Sequence, residues 1–365
     1  MYRQIPNRPE SGARPGRRCS RGKIAEMQIR DVTIVGAGPA GLAAAISAKK
    51  VGLDYSIVEK GVLVNSIYRF PVNMVFFTTP ELLEIGGLPL VSPYDKPTRL
   101  EALRYYRRVV DTYDLQIALN EKVLAVAREE GEAGGAGGAG DNSLFAVETL
   151  SARGVRRARL ARNVVFATGY YDRPVMLNVP GEDLPHVHHF YGDPHPCYRQ
   201  RVVVVGGGNS AAEAALELYR IGASVTLVHR GPELKSSIKY WVRPDIENRF
   251  KEGSIAARFN SCVQEIRPTT ILIRGPLGLE ELPAETVYLL VGYRADTELF
   301  VRAGVELTDR EGPRYDPETF ETNVPGLFVA GGALAGVDTG TIFIENGRFH
   351  GEKILEVIAR RHELK

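Results

Sequence analysis

Apolar residues fall along this chain in two stretches of the same design. Residues Val32 to Glu59 read as an unbroken apolar strand (Val32-Thr33-Ile34-Val35), a glycine-rich turn, an alanine-rich helix and a second strand. Residues Val202 to His229 repeat the plan, with Val202 to Val205, then Gly206-Gly207-Gly208, an Ala/Leu-rich helix, and Val225 to Val228. Continuous β-branched runs suit parallel strands covered on both faces. Gly52 and Gly222 stand where each helix should stop. Two such openings predict an α/β fold with two Rossmann-like units.

The remaining pattern connects them. Val123 to Ala127 and Leu144 to Thr149 read as the arms of a β-hairpin around the low-complexity run 131–140. The strand Asn163 to Ala167 ends in Thr168-Gly169, and Gly326-Leu327-Phe328-Val329-Ala330-Gly331 is another apolar strand running into glycine. A long C-terminal helix is expected from about Gly347. Together these predict a first domain over 27–175 and 288–365, interrupted by a second over 176–287. Residues 1–26 are rich in Arg, Pro, Gly and Ser and read as a disordered tail. Met27 directly precedes the first strand and reads as an alternative start.

Charge narrows the choice of partner. Lys and Arg number 46 against 44 Asp and Glu, a net +2, so no global field draws the chain to nucleic acid or a membrane. No apolar run reaches the length of a spanning helix. Cys19, Cys197 and Cys262 form neither a CxxC nor a metal-ligand spacing, which suits a reducing cytoplasm and predicts no metal. Cys262, in a strand-like stretch, is expected to be packed and inert. The histidines His186, His188, His189 and His195 fall among prolines that break any helix, and are expected on loops.

The glycine turns carry the chemistry. Gly36-Ala37-Gly38-Pro39-Ala40-Gly41 is a full GxGxxG between strand and helix. Its glycines permit a tight turn, close approach of a pyrophosphate and close helix–strand packing, with the diphosphate on the helix amides. Glu59 closes the second strand, where a carboxylate accepts from a ribose diol, with Lys60 beside it. The second turn, Gly206-Gly207-Gly208-Asn209-Ser210-Ala211, is a GxGxxA variant. At the position matching Glu59 stands His229, followed by Arg230. The acid is gone, and Arg230 can bond a 2′-phosphate, so this site should take NADPH, with Lys235 a second candidate cation. Two nicotinamides would have no relay between them, so the first site is assigned FAD. Ala167-Thr168-Gly169 and Gly331 read as further cofactor-like turns at a sheet's carboxyl edge, where either alone also fits a structural turn.

The order GAGPAG, ATGYYDRP, VVVVGGGNSAAEAALEL and GLFVAGG resembles the thioredoxin-reductase-like flavoproteins. The segments Ser237 to Val242, Glu252 to Ile255, Glu321 to Asn323 and Ile342 to Arg348 are similar to the bacillithiol disulfide reductase family. The resemblance runs from about Met27 to the C-terminus. It implies FAD, NADPH, and hydride passing from NADPH to FAD with electrons going on to a low-molecular-weight disulfide or a small redox protein; a homo-oligomer is expected. It also implies flavin contacts at Asn65, Ser66, Thr78, Ile342 and Phe343.

The chain departs from these patterns in three places. His189 and Gly192 stand where thioredoxin reductases keep their CxxC, Ala40 stands where the bacillithiol family reads cysteine, and Gly332 replaces the usual aspartate, for which Asp338 is a candidate substitute. No catalytic residue is assigned. Alternatives are a ferredoxin or flavodoxin reductase, a flavin monooxygenase (whose FxGxxxH motif is missed by one residue at Phe190 to His195), and a non-turnover flavin redox sensor.

Overall fold

A computed structural model of the protein describes residues 28–129 and 144–363; the expected tail, Cys19 and the run 131–140 lie outside them. The chain begins with β1 (Ile29–Val35), α1 (Pro39–Lys50), β2 (Tyr55–Val58), α2 (Asn65–Tyr68), α3 (Arg99–Tyr113) and β3 (Ile117–Ala118). There follow β4 (Glu121–Glu129), β5 (Leu144–Ser151) and β6 (Arg156–Phe166), and then β7 (Val187–His188), β8 (Arg201–Val205), α4 (Asn209–Arg220) and β9 (Ser224–Val228). Next come α5 (Arg243–Lys251), β10 (Ala256–Arg258), β11 (Cys262–Ile266), β12 (Thr270–Gly275), β13 (Gly278–Pro283) and β14 (Thr286–Leu289). The chain ends through α6 (Glu298–Arg302), β15 (Leu327–Val329), α7 (Ile344–Gly347) and α8 (His350–Glu363).

Both expected parallel sheets form, and they share a strand plan. The first runs β3-β2-β1-β6, the second β10-β9-β8-β14-β7. In each, the strand leading into a glycine turn sits between its successor and a strand from much later in the chain. Strand β6 is long enough to serve two neighbours on one side. Its first half pairs antiparallel with β5 of the hairpin, and Val164 to Phe166 pair parallel with Leu327 to Val329. The C-terminal strand therefore returns to the first sheet.

Alternation along β8 explains how the second sheet is covered. Val202 and Val204 face one core with Ala211, Ala215 and Leu218 of α4. Val203 and Val205 face another, formed with Ile271, Ile273 and Leu282. That second cover is a three-stranded antiparallel sheet, β11-β12-β13. Cys262 lies there as the strand predicts, but it is exposed, against the expectation of a packed thiol. Its neighbour Val263 takes the inward face, and strand alternation turns Cys262 outward.

Helix contacts depend on small residues. A Cβ on Gly351 of α8 would lie 2.6 Å from the backbone nitrogen of Ala44 in α1, so these helices meet backbone to backbone. Helix α3 starts in a reciprocal cap, with the Thr98 amide donating to Glu101 at 2.8 Å and the Glu101 amide to Thr98 Oγ1 at 3.3 Å. The long C-terminal helix expected from about Gly347 starts at His350, and a break at 348–349 separates it from the short α7. Arg348, at the break, donates to the carbonyls of Glu81 and Glu84 at 2.7 and 2.6 Å. None of the described helices is long and apolar enough to cross a membrane.

Candidate functional site

Strand β1 leaves the sheet at Gly36 and re-enters as α1 at Pro39. Gly36 has φ +112°, and a Cβ there would sit 2.4 Å from the Ala167 carbonyl oxygen. A Cβ on Gly41 would be 2.0 Å from the Gly36 carbonyl oxygen. Only glycine lets the turn lie this close to the end of β6. Gly38 is different, because nothing lies within 4 Å of its Cβ position. That open side faces a cavity of about 830 Å³ lined by Gly36, Gly38, Pro39 and Ala40. Helix α1 has no side-chain N-cap and no acid in its first turn, which leaves its leading amides to an anion.

The same cavity gathers most of the residues expected around it. Glu59 is buried, 6% exposed, and accepts from the amides of Ala37 at 2.8 Å and Gly61 at 2.9 Å. Burial pushes its carboxyl up while those two amides oppose the shift. It braces the glycine turn and also lines the cavity. Lys60, Asn65, Ser66, Ala167, Thr168, Gly169, Gly331, Ile342 and Phe343 line it as well. Thr168 Oγ1 is buried with no protein partner, a polar atom that a bound ligand would satisfy. The open cradle at Gly38, the bare helix amides and this hydroxyl fit the diphosphate of a dinucleotide. Gly41 and Thr78 are not on the cavity wall. The first packs beneath the turn, and the second is buried before the 3₁₀ turn at Pro80–Leu83.

Several wall residues were not anticipated. Tyr170, Tyr171, Asp172 and Arg348 all line the cavity. Asp172 binds Lys60 at 2.9 Å and Arg69 at 3.2 Å, tying the end of β2 to the turn after β6. The Tyr170 ring lies 2.8 Å from where a Cβ on Gly332 would be, which accounts for the missing aspartate side chain there. Asp338 does not replace it, because Arg310 holds it at 2.8 Å. Tyr170, Tyr171 and Asp172 belong to the ATGYYDRP string, directly after the turn Ala167-Thr168-Gly169.

His350 supports the wall from behind. The Gly331 amide donates to its Nδ1 at 3.1 Å, and its ring stacks on Phe320 with centroids 4.4 Å apart. Burial, with Lys353 adding to it, pushes His350 down to about 4. In the unfolded chain the imidazole titrates near 6.5, so acid protonates the unfolded state first. The native state should keep this contribution above about pH 6.5, lose it as pH falls towards about 4, and lose no more below. Urea midpoints of the wild type and His350→Gln across that window should converge as the pH drops. Parallel midpoint curves would refute the assignment.

The second turn copies the first. Gly206 has φ +149°, and a Cβ there would lie 2.4 Å from the Leu290 carbonyl oxygen, just beyond β14. Gly208 is again open and caps α4 with no side-chain acceptor. Ala211 is fully buried under the turn, whereas Ser210 is exposed. Asn209 spends its amide on bracing, donating to the Ser237 carbonyl at 3.0 Å and accepting from the Lys239 amide at 2.8 Å. The His229 ring covers Gly207, 2.4 Å from its Cβ position. Burial and then the charges of Lys235 and Arg230 push His229 down, so both cations lie within electrostatic reach of the turn. Arg230 is exposed and makes no ion pair among the described residues.

Tyr240 and Trp241 lie just before α5. Pro244 fits only a first turn and fixes the helix start nearby. Cys197 is buried, with Sγ 3.5 Å from the Tyr288 hydroxyl. Neither Cys197 nor Cys262 lines the cavity. Among the described residues no three His, Cys, Asp or Glu are placed to hold a metal.

Comparison with known proteins agrees with this geometry. The pyridine nucleotide-disulphide oxidoreductase family matches residues 33–331. The bacilliredoxin reductase Bdr of Bacillus subtilis (strain 168) is 40% identical over 330 residues, covering 90% of this chain and 97% of that protein. The structure of bacillithiol disulfide reductase Bdr (YpdA) from Bacillus cereus superposes with a TM-score of 0.86 at 39% identity, covering 92% of this chain and 100% of that one. Its counterpart from Staphylococcus aureus gives 0.85 at 36%, covering 92% and 99%. The chain belongs to the pyridine nucleotide-disulphide oxidoreductases, as a flavoprotein oxidoreductase of the thioredoxin-reductase-like fold in the family of the bacilliredoxin reductases.

Proposed function

We propose that the protein is an NADPH-dependent FAD enzyme that reduces a low-molecular-weight thiol disulfide without a cysteine pair of its own. The observation that carries this reading is the pair of glycine turns, built alike but with opposite ribose chemistry. Glu59 is a buried acceptor at the first, whereas Arg230 and Lys235, beside His229, make the second cationic. The relatives' names supply the substrate class, bacillithiol disulfide or a bacilliredoxin.

On this reading Gly36, Gly38 and the leading amides of α1 hold the FAD diphosphate, with Glu59 on its ribose. Thr168, Asn65 and Ser66 supply further polar contacts, and Tyr170, Ile342 and Phe343 form the wall at the other end. Bound FAD supplies the two-electron relay between nicotinamide and disulfide. The described thiols stand away from this cavity, so the disulfide must approach it directly. The balance is one NADPH and one proton consumed with one disulfide, giving NADP⁺ and two thiols.

The purified protein should be yellow, should bleach anaerobically with NADPH, and should release two thiols per NADPH when given bacillithiol disulfide. Bleaching without turnover of any small disulfide, together with reduction of added ferredoxin, would refute the substrate assignment in favour of a ferredoxin reductase. Arg230→Ala should raise the KM for NADPH about tenfold or more while sparing NADH, since a hydrogen bond to a charged group contributes about 1.5–3 kcal/mol. Equal effects on both nucleotides would remove the 2′-phosphate argument.

A further inference from the structure

The two glycine turns are far apart in sequence, yet one buried side chain joins the helix of the second to a loop whose start lines the first cavity. Lys239 is 5% exposed. Its backbone amide donates to Asn209 Oδ1 at 2.8 Å, and Asn209 opens α4 at the second turn. Its side chain bridges α4 and a distant loop. Nζ donates to the Val75 carbonyl oxygen at 3.1 Å and pairs with Glu213 Oε1 of α4 at 2.5 Å. Val75 belongs to the loop that follows α2, and Asn65, Ser66 and Phe70 at the start of that stretch line the first cavity. A buried cation is costly unless its partners stay in place, so this contact tolerates little sliding.

The contact is sheathed by aromatic rings. Trp241 stacks on Phe77 with centroids 5.7 Å apart, joining the same two loops. Lys96 Nζ lies 4.6 Å from the centre of the indole and donates to the Phe77 carbonyl at 2.6 Å. The chain itself crosses between the two sheets at a different place. There Val175 donates to the Gly292 carbonyl at 3.0 Å and Arg294 to the Arg173 carbonyl at 2.9 Å. A pair of adjacent crossings would permit a swivel. A second attachment away from them removes that freedom.

We propose that Lys239 is a positioning residue, clamping the second glycine turn against the loop of the first cavity so that nicotinamide and FAD meet at a fixed distance. The proposal rests on the oxidoreductase reading above. It concerns the geometry between the sites and leaves the grip on either nucleotide to other residues.

The test uses the double variant Lys239→Met with Glu213→Gln, which leaves no buried charge alone, and the surface variant Lys96→Met as a second probe. Anaerobic stopped-flow with NADPH should show the limiting rate of flavin bleaching falling about tenfold or more in the double variant, with the half-saturating NADPH concentration changed less than about threefold. Lys96→Met should act in the same direction by about threefold. Solution X-ray scattering of the same proteins should show a larger radius of gyration in the double variant. Unchanged limiting rates, or equal losses of rate and NADPH affinity with unchanged scattering, would overturn the clamp. A wild-type flavin that NADPH fails to bleach would instead refute the oxidoreductase reading, and the scattering comparison would still report on the clamp.

Discussion

Gly36→Val should fold and yet purify colourless. The glycine has φ +112°, a region β-branched residues avoid, and the first added carbon would be 2.4 Å from the Ala167 carbonyl oxygen. The turn must move away from β6 to make room, and with it go Gly38, the leading amides of α1 and the brace from Ala37 to Glu59. The loss is of site geometry more than of core, because Val35, Leu42 and Ile57 remain packed in one cluster. Affinity for FAD should drop by at least about a hundredfold, equivalent to roughly 2.7 kcal/mol. Absorbance at the flavin band relative to protein, before and after incubation with excess FAD, measures it. A variant that stays yellow would show that the turn is not the FAD diphosphate site.

Gly206→Val should produce the complementary phenotype, a yellow protein that NADPH does not bleach. Here φ is +149° and the added carbon would meet the Leu290 carbonyl oxygen at 2.4 Å and Ala211 Cβ at 2.9 Å. The cavity of the first sheet contains none of these residues, so flavin content should match the wild type. The rate of bleaching at a fixed, low NADPH concentration should fall about a hundredfold or more. Dithionite should still reduce the flavin, which separates loss of the nucleotide from damage to the first site. Bleaching by NADPH at the wild-type rate would place the nicotinamide nucleotide elsewhere.

These two residues were legible because local geometry alone demands glycine at the end of a buried strand before a helix. Glu59 was legible for a similar reason, lying at a fixed offset within one βαβ unit. Tyr170, Asp172 and His350 were not, because their importance comes from partners far along the chain. Asp172 meets Lys60 across more than a hundred positions, and His350 receives the Gly331 amide only after the C-terminal helix has docked. Thr78 was placed by resemblance and not by any local rule, and it lies off the cavity wall. The exposure of Cys262 was within reach of strand alternation, since Val263 beside it is the apolar residue that turns inward. The reach of Trp241 was not legible, because Pro244 sets where α5 begins and frees the indole to meet Phe77, a residue far earlier in the chain.

The return of β15 to the first sheet has a consequence for how the protein is made. Strands β7 to β14 are contiguous and can assemble while the ribosome is still working, since contacts between segments close in sequence form fastest. The sheet begun by β1 has six of its seven strands made before β7, yet it stays incomplete, with part of the edge of β6 open, until Leu327–Val329 has been synthesised and α8 has settled on Ala44. Nascent chains arrested before Gly326 should therefore resist protease across the later-encoded sheet while the earlier-encoded one is still digested. The yellow cofactor would then be captured only once the late segment that carries Gly331, Ile342 and Phe343 is in place.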